Sequence, residues 1–207
     1  MMLNRNPDHA TAPSVPRSAL TFLLALLVPM AQTMASGAPA APELTPAALQ
    51  ARLAKMDNSS TVECHTDKYG NPACTAGGYD VDVTGCDDRG DSFFGQVLRK
   101  PGATLGDAIA PDKAKPVAQL ADGQFLCIAA TAEKEGATTR LYVEALPIER
   151  VAACKGNHLC ASHAVQWIAP KPADECKWIG HDGDFSGGCA AGWVDEDKVE
   201  QFSMGMH

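Results

Sequence analysis

Hydrophobic and polar positions alternate along this chain with three different periods. Ala19 to Val28 is a ten-residue apolar run holding one Thr, bracketed by Arg17 before it and by Pro29 and Gln32 after it. Leu49, Leu53 and Met56 recur at helical spacing. Thr45 is a ready cap, Pro46 fits the first helical position and Leu44 can staple to Leu49, so one helix is expected, ending near Asp57-Asn58. From Thr61 onward the period falls to two. Tyr79, Val81 and Val83 share one face of a strand, with Asp80 and Asp82 on the other. Ser92–Leu98, Gln124–Thr131, Thr139–Leu146, Ala164–Ile168 and Lys177–Ile179 are further strands, the second and third forming a hairpin across Glu133–Thr138. Cys64–Cys74 is expected as a hairpin with Tyr69-Gly-Asn-Pro72 at its tip. Pro101–Pro116, rich in Pro, Ala, Lys and Asp, is expected as loop with a turn of helix. Many short strands separated by turns make a mainly β sandwich or barrel.

The first apolar run is too short for a membrane span of about 20 residues. With the basic Arg5 and Arg17 ahead of it and Thr33-Met-Ala35 behind, residues 1–35 are expected to be a signal peptide cut after Ala35. Residues 36–42, Ser-Gly-Ala-Pro-Ala-Ala-Pro, have a linker's composition. No membrane insertion is expected after cleavage.

All eight cysteines lie beyond that cleavage point: Cys64, Cys74, Cys86, Cys127, Cys154, Cys160, Cys176 and Cys189. An even number behind an export signal indicates a disulfide framework and a periplasmic or secreted location. Eight cysteines allow about 105 pairings, and sequence does not select among them. Short loops suggest Cys64–Cys74, Cys154–Cys160 and Cys176–Cys189, which leaves Cys86–Cys127 to tie the two halves together. Zinc competes as an explanation because His65, His158 and His181 lie near cysteines, but no CxxC or HxxxH spacing accompanies them.

The chain carries a net charge of −8, or −9 once Arg5, Arg17 and Asp8 are removed. That sign argues against nucleic acid, which is held by Lys and Arg on phosphates, and against anionic lipid; it suits a cationic partner. Asp80, Asp82, Asp88 and Asp91 form a candidate calcium loop, with Gly85 at its sixth position. Thr84 replaces an acid or amide there, Asp91 is shorter than the usual Glu, and the alternation at Tyr79–Val83 favours a strand. His181-Asp-Gly-Asp184 is expected to be a turn, and Met204-Gly-Met-His207 a frayed end with copper-type donors. No metal and no cofactor is assigned. Catalytic arrangements are thin: Gly-x-Ser-x-Gly is absent, and each cysteine is expected to be spent in a disulfide.

The C-terminal stretch organises the second half. Trp178 leads through a glycine-rich turn into Gly192-Trp193-Val194, a tight turn at Asp195–Lys198 and a short segment Val199–Phe202. This order resembles the end of bacterial SH3-like (SH3b) domains, where a Trp-bearing strand, Gly-Trp-Val, a 3₁₀ turn and a closing strand follow one another. The resemblance spans roughly Val117–Phe202, with the Cys154–Cys176 insert and the extra cysteines departing from it. It implies an SH3-like small barrel over 117–207, with 43–116 supplying the N-terminal helix and a cystine-rich β extension. It also implies binding of a peptide, a cell-wall fragment or a protein, through an aromatic groove drawn from Tyr142, Trp167, Trp178 and Trp193. Core packing is the competing role for each Trp. The resulting expectation is a non-enzymatic, exported binding module; the alternative is an acidic inhibitor or immunity-type protein that blocks a basic wall hydrolase or toxin, using stapled loops such as Cys154–Cys160.

Overall fold

The computed structural model describes residues 45–86, 93–98, 100–150, 154–178 and 185–202. The expected signal peptide, the linker, Leu44, Asp88, Asp91, the His181–Asp184 turn and the Met204–His207 tail lie outside them.

The one described α-helix, α1 (Pro46–Met56), begins and ends where local chemistry requires. The Ala48 amide donates to Thr45 Oγ1 at 3.3 Å, Pro46 occupies the first turn, and Leu49, Leu53 and Met56 are buried. Thirteen strands follow among the described residues: β1 (Val62–Thr66), β2 (Pro72–Ala76), β3 (Tyr79–Val83), β4 (Phe93–Val97), β5 (Ala103–Gly106), β6 (Pro116–Leu120), β7 (Phe125–Glu133), β8 (Arg140–Ala145), β9 (Gln166–Trp167), β10 (Lys177–Trp178), β11 (Phe185–Ser186), β12 (Ala190–Asp195) and β13 (Val199–Gln201). The fold is mainly β, as the sequence pattern predicts.

The organising strand is β7. One of its edges carries β8. The other is shared: β3 pairs with Ala130–Glu133 and β4 with Phe125–Ile128. At the crossover the Ala129 carbonyl accepts the amides of Thr84 and Gly85, and the register with β8 slips there as a bulge. Both faces of β7 are covered, which explains its near-continuous apolar sequence. Phe125 and Cys127 face a cluster beneath α1, with Leu53, Met56, Tyr79 and Val81. Leu126 and Ile128 face a second cluster with Val97, Leu105, Leu120, Leu141, Val143 and Val194.

The sheet order runs β1-β2-β3-β7-β8-β12-β5-β6-β9, with β4 and β13 branching from β7. β13 pairs with β4, and among the described residues no hydrogen-bonded strand links β13 to β6 or β9. The sheet curls around the second cluster without closing, so the expected small barrel stands as an open, branched sheet. The boundary drawn after Pro116 falls within β6, and strands from both sides of it pair in this sheet; all described residues belong to one compact unit, Ala40–His207.

Pro101–Pro116 differs from its expectation. Ala103–Gly106 and Pro116–Leu120 form a hairpin that pairs with β12 at Gly106 and supplies Leu105, Ala118 and Leu120 to the second core. Gly192 makes this contact possible: a Cβ on it would lie 2.7 Å from the Gly106 carbonyl oxygen. The C-terminal succession is present as expected, with β12, a 3₁₀ turn at Glu196–Lys198 and β13.

All eight cysteines are paired, as Cys64–Cys74, Cys86–Cys127, Cys154–Cys160 and Cys176–Cys189. Loop lengths selected this pattern, and it removes thiolate zinc. In the chain-entropy treatment loops of this size are each worth roughly 2–4 kcal/mol, most for Cys86–Cys127. That bridge pins the chain leaving β3 to the first half of β7. Four disulfides indicate a protein made for an oxidising compartment. No helix among the described residues is long and apolar enough to cross a membrane.

Candidate functional site

Three of the aromatic residues assigned to a groove have described side chains, Tyr142, Trp167 and Trp193, and they are placed differently. Trp193 is wholly buried, at 0 % exposure. Its indole Nε1–H donates to the Met56 carbonyl at 2.8 Å, which satisfies a carbonyl at the C-terminal end of α1 and ties the helix to β12. Tyr142, directly opposite on β8, meets it edge-on with ring centroids 5.4 Å apart. Burial first, and then the nearby Glu144 carboxylate, hold the Tyr142 phenol well above its ordinary value near 10, against a smaller opposing pull from Arg52. In this arrangement Trp193 offers no surface to a ligand, and with Tyr142 it serves the core under the helix. The backbone of Trp178 sits on β10 opposite Phe185.

Trp167 is placed differently. It is half-buried on β9, at the far end of the sheet path from β1, and packs against the second cluster. It borders an open cleft of about 480 Å³ between the segment following Cys160 and the ends of β8 and β12. The cleft is built by chain reversals that sequence periodicity does not report. The His163 amide donates to Gln124 Oε1 at 2.8 Å, and the Phe125 amide donates to the Ala161 carbonyl at 2.8 Å. These bonds seat residues 161–163 along the start of β7. The Ile168 and Ala169 amides both donate to the Val117 carbonyl, which fixes the turn after Trp167. Glu175 bridges Gly188, and Cys176–Cys189 closes the far wall. The insert that departs from the SH3-like pattern is thus the cleft's wall.

The lining combines an indole face with charges of both signs. His163 and Lys171 stand on the rim with Asp174 and Glu175, and Ala145, Leu146 and Ala190 form an apolar floor. His163, Lys171, Asp174 and Glu175 are exposed. Such a lining can stack an apolar group on Trp167 and pair at once with an anion and a cation. Sequence reasoning selected Trp167 and missed these four polar residues, because they lie in a stretch with neither helical nor strand period.

The other candidates are placed as follows. Asp80 and Asp82 project from the solvent face of β3, opposite Glu133 and Thr131 of β7. That is strand geometry, and among the described residues no group of three or more His, Cys, Asp or Glu side chains could hold a metal ion. His65 and His158 are exposed. No family model, curated protein or solved structure matches the chain.

Proposed function

We propose that this protein is an exported, non-enzymatic binding module that takes a cell-wall peptide fragment into the cleft beside Trp167. The observation that carries this reading is the lining: one indole, an apolar floor, and basic and acidic side chains facing one opening of about 480 Å³. Wall stem peptides carry carboxylates and a free amine within a few residues, which matches a lining that holds Lys171 and His163 together with Asp174 and Glu175. The apolar floor and the indole suit the short side chains between those charges. A rigid scaffold supports the reading, since the Cys154–Cys160 and Cys176–Cys189 bridges flank the cleft and limit the ordering cost of binding. All eight cysteines are oxidised, so no thiol stands ready as a nucleophile. The SH3-like resemblance points the same way, because that family mostly binds wall peptides, glycan or protein segments; fold analogy alone would not assign a ligand.

The test is a titration of a soluble muramyl peptide against the purified oxidised protein, followed by tryptophan fluorescence and calorimetry. Saturable one-to-one binding is expected, weakened roughly 10-fold or more by Trp167→Ala. Absence of binding at millimolar peptide, or equal affinity in the variant, overturns the reading.

A further inference from the structure

The β1–β2 hairpin projects from the opposite end of the sheet path. From His65 to Pro72 every residue except Asp67 is exposed. Tyr69, at its tip, has 76 % of its surface in solvent, more than any other large hydrophobic side chain described. An apolar ring held out in water on a surface loop gains nothing for folding. The tip is nonetheless fixed by a dense set of interactions. Asp67 Oδ1 accepts the amides of Tyr69 and Asn71, both at 2.8 Å. The Asp67 amide donates to the Asn71 carbonyl at 2.7 Å, and the Gly70 amide to the Asp67 carbonyl at 3.1 Å. Gly70 turns the chain at φ +91°. At the base, Cys64 and Cys74 sit directly opposite one another and are covalently joined, with Cys74 buried in the first core cluster. The Cys64 amide is also held by Gln50 Oε1 of α1 at 3.3 Å. The tip is therefore an ordered rod end whose ordering cost is met before any encounter.

Its chemistry is local and distinct. Lys68 lies over the Tyr69 ring, 4.8 Å from its centroid. The tip thus presents an aromatic ring and an exposed cation, on a chain whose net charge is −8. The Asp67 carboxylate is turned inward onto two amides. A partner that fits both scales has a positive surface overall, which the chain's field attracts over distance. It also has a concave pocket with aromatic or apolar walls and a carboxylate within reach of Lys68. The substrate cleft of a basic glycan hydrolase has these properties: sugar-stacking walls and a pair of catalytic carboxylates.

We propose that the β1–β2 hairpin is an insertion finger that enters the cleft of such a hydrolase, with Tyr69 against the sugar-stacking wall and Lys68 paired with a catalytic carboxylate. The finger is separate from the Trp167 cleft and does not depend on it.

The experiment measures the hydrolysis of suspended peptidoglycan by a basic lysozyme, titrated with the oxidised protein at low salt. One-to-one inhibition is expected, relieved by raised salt as exposed charge pairs are screened. Tyr69→Ala is expected to raise the inhibition constant roughly 30-fold, as for a central aromatic anchor. Lys68→Glu is expected to raise it at least roughly 10-fold by setting like charges together. Lys113→Glu, the same charge change on an exposed loop far along the chain, is expected to leave inhibition within about 2-fold of the parent, because it alters only the long-range field. Tyr69→Ala is expected to melt with the parent, since the side chain covers almost nothing. No inhibition by the parent protein, or a Tyr69→Ala variant that inhibits as well as the parent, overturns the proposal. So does equal weakening by Lys68→Glu and Lys113→Glu, which would reduce the effect to net charge.

Discussion

Trp193→Phe tests how the helix is held to the sheet. The substitution keeps an aromatic ring in the site and removes the indole nitrogen that donates to the Met56 carbonyl at 2.8 Å. Trp193 and Met56 are both buried, so water cannot reach that carbonyl without opening the core. An acceptor left without a partner in such a place costs about 1–3 kcal/mol. The smaller ring gives up about 1 kcal/mol of buried apolar contact, and the edge-on contact with Tyr142 loses about 0.5 kcal/mol. The total is about 2.5–4.5 kcal/mol, a large part of a marginal stability. With a urea slope of about 2–3 kcal/mol/M for a domain of this size, the midpoint is expected to fall by about 1–2 M at unchanged slope. The assay is equilibrium urea unfolding of the oxidised protein followed by far-ultraviolet circular dichroism, with Trp167→Phe as the comparison. Trp167 is half-buried and has no comparable bond, so its variant is expected to shift the midpoint by less than about 0.3 M. A Trp193→Phe shift as small as that would refute the reasoning.

Three further outcomes follow from the same contacts. The Tyr142 phenol keeps its proton in the folded state to higher pH than in the unfolded chain, so the unfolded state alone loses protons above about pH 10; stability is expected to fall from there upward, and Tyr142→Phe to flatten the fall when melting temperature is measured from pH 8 to 11. An unchanged slope in that variant would show that other groups govern the alkaline limit. Gly192→Ala would place a Cβ 2.7 Å from the Gly106 carbonyl oxygen, and the β5–β12 contact is expected to open at a cost of about 2 kcal/mol, read as a lower urea midpoint. The double replacement Cys86→Ser/Cys127→Ser is expected to cost about 4 kcal/mol, more than Cys154→Ser/Cys160→Ser at about 2 kcal/mol, because the longer closed loop restrains more of the unfolded chain; the reverse order in chemical unfolding would contradict that account.

Features set by near neighbours were legible in the sequence. Thr45, Pro46 and the Leu49–Leu53–Met56 stripe specify α1 almost to the residue, because capping and helical period act within a few positions. The alternation at Tyr79–Val83 and the apolar run at Gln124–Thr131 mark β3 and the core of β7 for the same reason. Three disulfides close short loops, and elimination then leaves the fourth. The β5–β6 hairpin was not legible. Ala-Thr-Leu-Gly and Pro-Val-Ala-Gln-Leu are short and poor in β-branched residues, and their pairing with each other and with β12 decides their state, which is a tertiary effect overriding weak propensity. Ala108 and Ile109, in the loop of that hairpin, are fully buried for the same reason. Of the site, Trp167 was legible by residue type, whereas His163, Lys171, Asp174 and Glu175 meet it only through hydrogen bonds between residues distant in sequence, such as His163 with Gln124 and Phe125 with Ala161, and through a disulfide. The roles of the tryptophans also needed the fold. Trp167 and Trp193 look alike along the chain, and one is at a cleft while the other is beneath a helix.

Two modest cores flank a sheet that remains open at its ends, and four disulfides tie its branches together. The most direct test is a count of reactive thiols in the purified protein, unfolded in guanidinium without any reductant. None of the eight cysteines is expected to react. Reaction at most of them, in a preparation that is folded before denaturant is added, would contradict that expectation.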